Sequence, residues 1–152
     1  GRWDRPPLPE QEQTIGRQRV SGARLSGGTG AAVPDFAAGP DGAITPLDAH
    51  IRLANPRTAE TQKNRILRRP FNYSNGITKA AQLDQGLLFI AYQNDIDRGF
   101  IAVQQRLDGE PLEEYIKPVG GGFFFTLPGV VDNNDFFGRG LLAAAGLVDA
   151  TG

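Results

Sequence analysis

An α+β fold, with helices covering one face of a small sheet, is what this sequence predicts, and three stretches carry the expectation. Residues 86–93 (Gly-Leu-Leu-Phe-Ile-Ala-Tyr-Gln) form an apolar run bounded by Asp84-Gln85 and Asn94-Asp95, which is the pattern of a strand. Downstream, Ile96, Phe100, Val103 and Leu107 recur at spacings of four, three and four, the apolar stripe of an amphipathic helix despite Gly99. Residues 122–127 (Gly-Phe-Phe-Phe-Thr-Leu) then read as a second strand before the Pro128-Gly129 turn.

The remaining elements follow in chain order. Residues 1–20 combine Pro6, Pro7 and Pro9 with a polar helical stretch over 10–19, whose few apolar positions predict that it packs on something else rather than folding by itself. Residues 21–46 are dominated by Gly, Ala, Pro, Ser and Asp, a long loop that delivers the chain to His50. Residues 65–71 are a short mixed segment, and Asn75-Gly76 marks a tight turn. Residues 135–147 close the domain as a helix that Gly138, Gly140 and Gly146 weaken. The expected organisation is a lead-in of residues 1–46 and a domain over 47–152, with no internal repeat.

Composition removes several function classes. With 16 Lys+Arg against 17 Asp+Glu there is no basic field for nucleic acid. The absence of cysteine excludes disulfides, thiolate zinc, iron–sulfur clusters and thiolate-ligated haem within this chain. No apolar run approaches the roughly 20 residues of a membrane span. The first residues, Gly1-Arg2-Trp3-Asp4-Arg5-Pro6-Pro7, carry neither an initiator methionine nor an export signal, and the chain is expected to be a piece of a longer precursor. At 152 residues and 39% hydrophobic, it is long enough for one core.

One side chain stands out. His50 is the single histidine, in Asp48-Ala49-His50-Ile51-Arg52-Leu53-Ala54-Asn55-Pro56-Arg57-Thr58. A neutral imidazole binds a metal through one nitrogen while the other is tuned by a partner, yet a lone histidine is also an ordinary structural or surface group. Arg52, Arg57 and Arg68 follow it, and guanidinium forks suit carboxylates, although arginines are common on any solvated surface. Composition leaves both readings open.

Together, Trp3-Asp4-Arg5, Ile15-Gly16-Arg17, the His50–Arg57 run, Arg65-Ile66-Leu67-Arg68-Arg69, Gly86-Leu87-Leu88-Phe89, Glu110-Pro111-Leu112, Tyr115-Ile116, residues 120–125 (Gly-Gly-Gly-Phe-Phe-Phe) and Pro128-Gly129-Val130 resemble the C-terminal part of the dye-decolourising peroxidases, in particular their exported deferrochelatase/peroxidase branch. The resemblance covers nearly the whole chain. It implies a ferredoxin-like domain with an antiparallel sheet, the C-terminal half of a two-domain fold, and one haem b per complete unit. It also implies a secreted or periplasmic protein.

Residue by residue, the resemblance makes His50 the protein ligand of the haem iron and Glu110 the acceptor for the free nitrogen of that imidazole, where the sequence alone allows a solvated turn carboxylate. Arg68 falls on the arginine that acts on bound peroxide, Leu87 and Phe89 on apolar residues over the opposite face of the haem, and Arg52 and Arg57 on propionate contacts. The implied activity is oxidation of dyes or phenolic-type donors by hydrogen peroxide. Tyr73, Tyr92, Tyr115 and Trp3 are either electron relays or packing residues. The Gly-x-x-Asp-Gly motif that carries the family's acid–base aspartate is missing, and Asp41, in Gly39-Pro40-Asp41-Gly42, reads as a turn residue. An N-terminal chain or domain of the same precursor is therefore the expected partner, beside hydrogen peroxide and a small reducing substrate. Deferrochelatase-like iron release or haem handling, and a cofactor-free interaction domain, are the alternatives.

Overall fold

A computed structural model describes residues 2–148, which divide into a unit ending at Lys117 and a second beginning at Pro118. In chain order the first unit contains a 3-10 turn (Arg2–Asp4), α1 (Leu8–Ile15), α2 (His50–Ala54), a 3-10 turn (Glu60–Asn64), β1 (Leu67–Ile77), β2 (Leu83–Tyr92), a π-helical turn (Asp97–Ile101), α3 (Ala102–Leu107) and a 3-10 turn (Pro111–Glu114). The lead-in of residues 1–46 is part of this unit. The second unit contains α4 (Arg139–Ala144). No helix among the described residues is long and apolar enough to cross a membrane.

The α+β class and the antiparallel sheet agree with expectation, and among the described residues the sheet is the β1–β2 hairpin. The mixed segment over 65–71 is thus strand from Leu67 onward, and β2 starts three residues earlier than its apolar run. The strand expected over residues 122–127 does not form: this stretch has no regular structure and Phe124 is 87% exposed. A strand exists only where a neighbour takes its N–H and C=O groups, and no third strand is paired among the described residues.

Asn75-Gly76 is a bulge rather than the expected turn. Ser74 pairs with Gln85 and Ile77 with Leu83, so two residues face Asp84 alone; Gly76 takes φ 86°, and Asn75 Nδ2 donates to Asp84 Oδ2 at 3.2 Å. The chain reverses over 78–82, where Thr78 N–H donates to the Gln82 carbonyl at 2.7 Å and Ala81 sits at φ 58°. A left-handed alanine gives no turn signal.

The helix expected over 96–107 has its first half as a π turn. Gln93 Oε1 accepts the Phe100 N–H at 2.7 Å, anchoring the wide turn to the strand end, before α3 begins. α1 stops at Ile15, earlier than the polar stretch suggested, because Gly16 adopts φ 89° and closes it. α4 is the short remnant of the helix expected over 135–147.

Apolar burial is sparse. Among the described residues the buried apolar side chains include Ala23, Phe36, Ala49 and Val103, whereas every β1 side chain is exposed. The loop over 21–46 has no helix or strand of its own, and two arginines hold it. Arg17 donates to the carbonyls of Gly22, Gly30 and Ala32 at 2.8, 3.1 and 3.1 Å. Arg52 donates to those of Thr45, Gly39 and Pro40 at 2.8, 3.0 and 3.0 Å and lies over the Phe36 ring. Asp41 is in a turn, as its Oδ1 accepts the Ala43 N–H at 3.2 Å.

Candidate functional site

α2 is a single turn with His50 as its first residue. Pro56 ends it, because a residue before proline is pushed out of the helical region, and Asn55 takes φ −146°, ψ 87°. Five residues do not hold a helix by propensity, so α2 depends on its neighbours. Ala49, immediately before it, is 0% exposed. On its α1 side the packing is close: a Cβ at Gly16 would lie 2.6 Å from Ile51 Cγ1 and 3.3 Å from Ala49 Cβ. Gly16 is thus required both by its left-handed backbone and by the approach of α2.

The imidazole is fixed from the opposite direction. His50 Nδ1 lies 2.7 Å from Glu110 Oε1 and 2.9 Å from Oε2, across 60 residues of sequence. The Glu110 side chain is only 3% exposed and that of His50 25%. A carboxylate can only accept, so Nδ1 carries the hydrogen, and in neutral imidazole Nε2 is left with its lone pair as a ligand. Gly109, at φ 79°, turns the chain after α3 so that Glu110 points back to α2. The Glu113 carboxylate takes the Gly109 N–H at 2.8 Å, and the Glu113 N–H donates to the Glu110 carbonyl at 3.0 Å, which closes this corner.

The hairpin register gathers three more candidates. Arg68 is opposite Ala91, Pro70 opposite Phe89, and Asn72 opposite Leu87. Cross-strand partners share a face and side chains alternate along each strand, so Arg68, Leu87 and Phe89 project from the same face. Phe89 meets Phe100 of the π turn with ring centroids 6.4 Å apart, and Leu87 and Phe89 are 55% and 43% exposed.

The other two arginines differ. Arg52 is turned toward the loop it holds, through the Gly39, Pro40 and Thr45 carbonyls. Arg57 is exposed at φ 63°, with its backbone N–H on Asn55 Oδ1 at 3.2 Å. Trp3 packs edge-on against Tyr115 at 4.8 Å, and Tyr73 lies across Gly86, where a Cβ would meet its ring at 2.9 Å.

Sequence reasoning missed Arg106. From α3 it donates to the Leu53 and Ala54 carbonyls at the end of α2, at 2.9 and 3.2 Å, and burial pushes its guanidinium below the ordinary value. Nothing in a single sequence separates such an arginine from one that faces water. Among the described residues no three His, Asp or Glu side chains converge as a metal site. A cleft of about 220 Å³ lined by Pro9, Glu12, Leu25 and Ile44 includes none of the site residues.

The comparisons with known proteins agree with one another. A family model described as Dyp-type peroxidase, C-terminal, matches residues 1–131. Deferrochelatases of Shigella flexneri and Escherichia coli K12 are each 56% identical over 140 residues, covering 92% of this chain and 33% of theirs. Among solved structures, a DyP-type peroxidase from Streptomyces coelicolor aligns with TM-score 0.64 at 36% identity, over 75% of this chain and 32% of that one. One from Cellulomonas bogoriensis aligns with TM-score 0.61 at 38% identity, over 72% and 30%. The chain spans about a third of the length of the curated relatives it matches.

Proposed function

Because this chain belongs to the Dyp-type peroxidase family, matching its C-terminal part, we propose that it is the haem-binding portion of a peroxidase that consumes hydrogen peroxide. The observation that carries the reading is the buried Glu110 carboxylate on His50 Nδ1. It leaves the Nε2 lone pair of one imidazole as a donor, and with no cluster of three His, Asp or Glu side chains among the described residues to hold a bare ion, that donor suits a metal already held by four nitrogens of its own macrocycle.

His50 would hold the iron. Haem, when bound, would supply the redox chemistry between peroxide and one-electron donors. Glu110 keeps the proton on Nδ1 and raises the basicity of the ligand, which favours higher oxidation states of the metal. On the hairpin face, Arg68 would be the cation that stabilises charge on peroxide, beside the apolar Leu87 and Phe89, which would exclude water there once haem and the partner cover them. Dyes or phenolic-type compounds are the proposed donors.

The chain has no Gly-x-x-Asp-Gly, so the proton-transferring aspartate is proposed to come from an N-terminal chain or domain of the same protein. The uncovered apolar side chains of the hairpin and the one-third coverage of the relatives support that partner. An exported location is proposed from the resemblance to the exported branch.

The test is His50→Ala in the haem-loaded protein. Loss of stoichiometric haem, or of the histidine signature in its ferric spectrum, is expected; an unchanged spectrum refutes the assignment. Native mass spectrometry addresses the partner, since an active species at the mass of this chain alone or its homo-oligomers would exclude it. A second reading, iron release from haem, is favoured by the 56% identical deferrochelatases. Metal-free porphyrin as the product, in place of an oxidised donor, would select it.

A further inference from the structure

Building on the reading of His50 as the haem ligand, we propose that Arg106 is a positioning residue that ties the His50 helix to the turn preceding the strand that carries Arg68. Its guanidinium is shared between two elements. Nε and Nη2 cap the Leu53 and Ala54 carbonyls of α2, while Nη1 donates to Asn64 Oδ1 at 3.2 Å. Asn64 in turn donates through Nδ2 to the Arg98 carbonyl at 2.6 Å. It is the last residue of the 3-10 turn that precedes β1 by two residues, Arg65 and Ile66, and the second residue of β1 is Arg68.

The five-residue α2 is thereby gripped at both ends from one short stretch of chain. Glu110 holds the imidazole at its first residue, and Arg106, four positions earlier, holds the carbonyls of its last two. Beside the packing of Ile51 on Gly16 and the Arg52 contacts to the loop, the Arg106 grip adds a restraint at the C-terminal end of α2 against rotation about the Nδ1 contact, which would carry Nε2 with it. A guanidinium suits the task because its planar fork donates in several fixed directions at once, and a cation at a helix C-terminus faces the carbonyl ends. Lysine offers a charge without the fork.

The experiment uses the haem-loaded protein and two readouts other than turnover. These are the iron–histidine stretching band of the ferrous form by resonance Raman, and amide hydrogen exchange over residues 50–55 and 64–68. Arg106→Leu should shift or broaden the band and raise exchange roughly tenfold or more in both segments, as hydrogen bonds to a charged group are lost. Arg106→Lys should restore only part of the change. If the leucine variant does not accumulate, Arg106→Gln is read in the same way. Arg98→Leu removes an exposed cation whose backbone carbonyl, not its side chain, serves Asn64, and should change neither readout. A parental band in Arg106→Leu, or raised exchange in only one segment, overturns the proposal. His50→Ala separates the two levels: if it leaves the haem spectrum unchanged, the ligand assignment itself fails, whereas loss of the histidine signature there with an unmoved band in Arg106→Leu refutes Arg106 alone.

Discussion

Glu110→Gln tests the site at its most constrained point. Both carboxylate oxygens lie within 2.9 Å of His50 Nδ1, and the side chain is 97% removed from solvent (100 − 3), so water cannot substitute for a lost contact. A hydrogen bond to a charged group contributes roughly 1.5–3 kcal/mol and a neutral one about 0.5–1.5. Glutamine is isosteric and its amide oxygen can still accept the Nδ1 hydrogen, but its NH2 takes the place of the second oxygen, so at least the charge-assisted part is lost. That difference is about 1–1.5 kcal/mol, close to a tenfold weakening of haem affinity. Glu110→Ala removes the acceptor altogether and should approach the upper end of the roughly 10–100-fold range for lost partners of metal-binding histidines. Haem titration of the apoprotein measures the affinity, and the ferrous iron–histidine band, which should fall in frequency as the ligand loses basicity, measures the electronic effect. Parental affinity and band position in both variants would refute the argument that the buried carboxylate tunes His50.

Other substitutions separate chemistry from support. Arg68→Leu at equal haem loading should lower peroxide turnover by roughly 10²–10³, the usual cost of losing one preorganised charge-stabilising donor, with haem affinity little changed; parental turnover would show that Arg68 does not act on peroxide. Gly16→Ala forces a left-handed alanine, at a cost of roughly 1–2 kcal/mol, and places its Cβ against Ile51, so the thermal midpoint should fall by several degrees and haem affinity with it; an unchanged midpoint would contradict the packing of α1 on α2. Arg52→Leu should make the loop over 39–45 more sensitive to limited proteolysis while haem affinity stays near parental. Weaker haem binding with an equally resistant loop would return Arg52 to the propionate role.

The sequence by itself determined the α+β class, the strand core around residues 86–93, the loop ahead of His50 and the family. Each depends on local pattern: an apolar run, a Gly/Pro-rich composition, or a motif whose residues are close together. Tertiary structure decided the rest, because each remaining feature needs two distant parts of the chain. The resemblance named His50 and Glu110, but the 2.7 Å contact exists only because Gly109 turns the chain back toward α2. Strand periodicity put Leu87 and Phe89 on one face, while the addition of Arg68 to that face required the pairing register, which the Asn75-Gly76 bulge shifts where the sequence reads a turn. Residues 122–127 have the composition of a strand and no partner strand among the described residues, so propensity had nothing to pair with. Arg52 and Arg106 look like solvated arginines in sequence, and only the positions of the carbonyls around them assign one to the loop and the other to the end of the His50 helix. A guanidinium is recognised by its acceptors, and those are set by the fold.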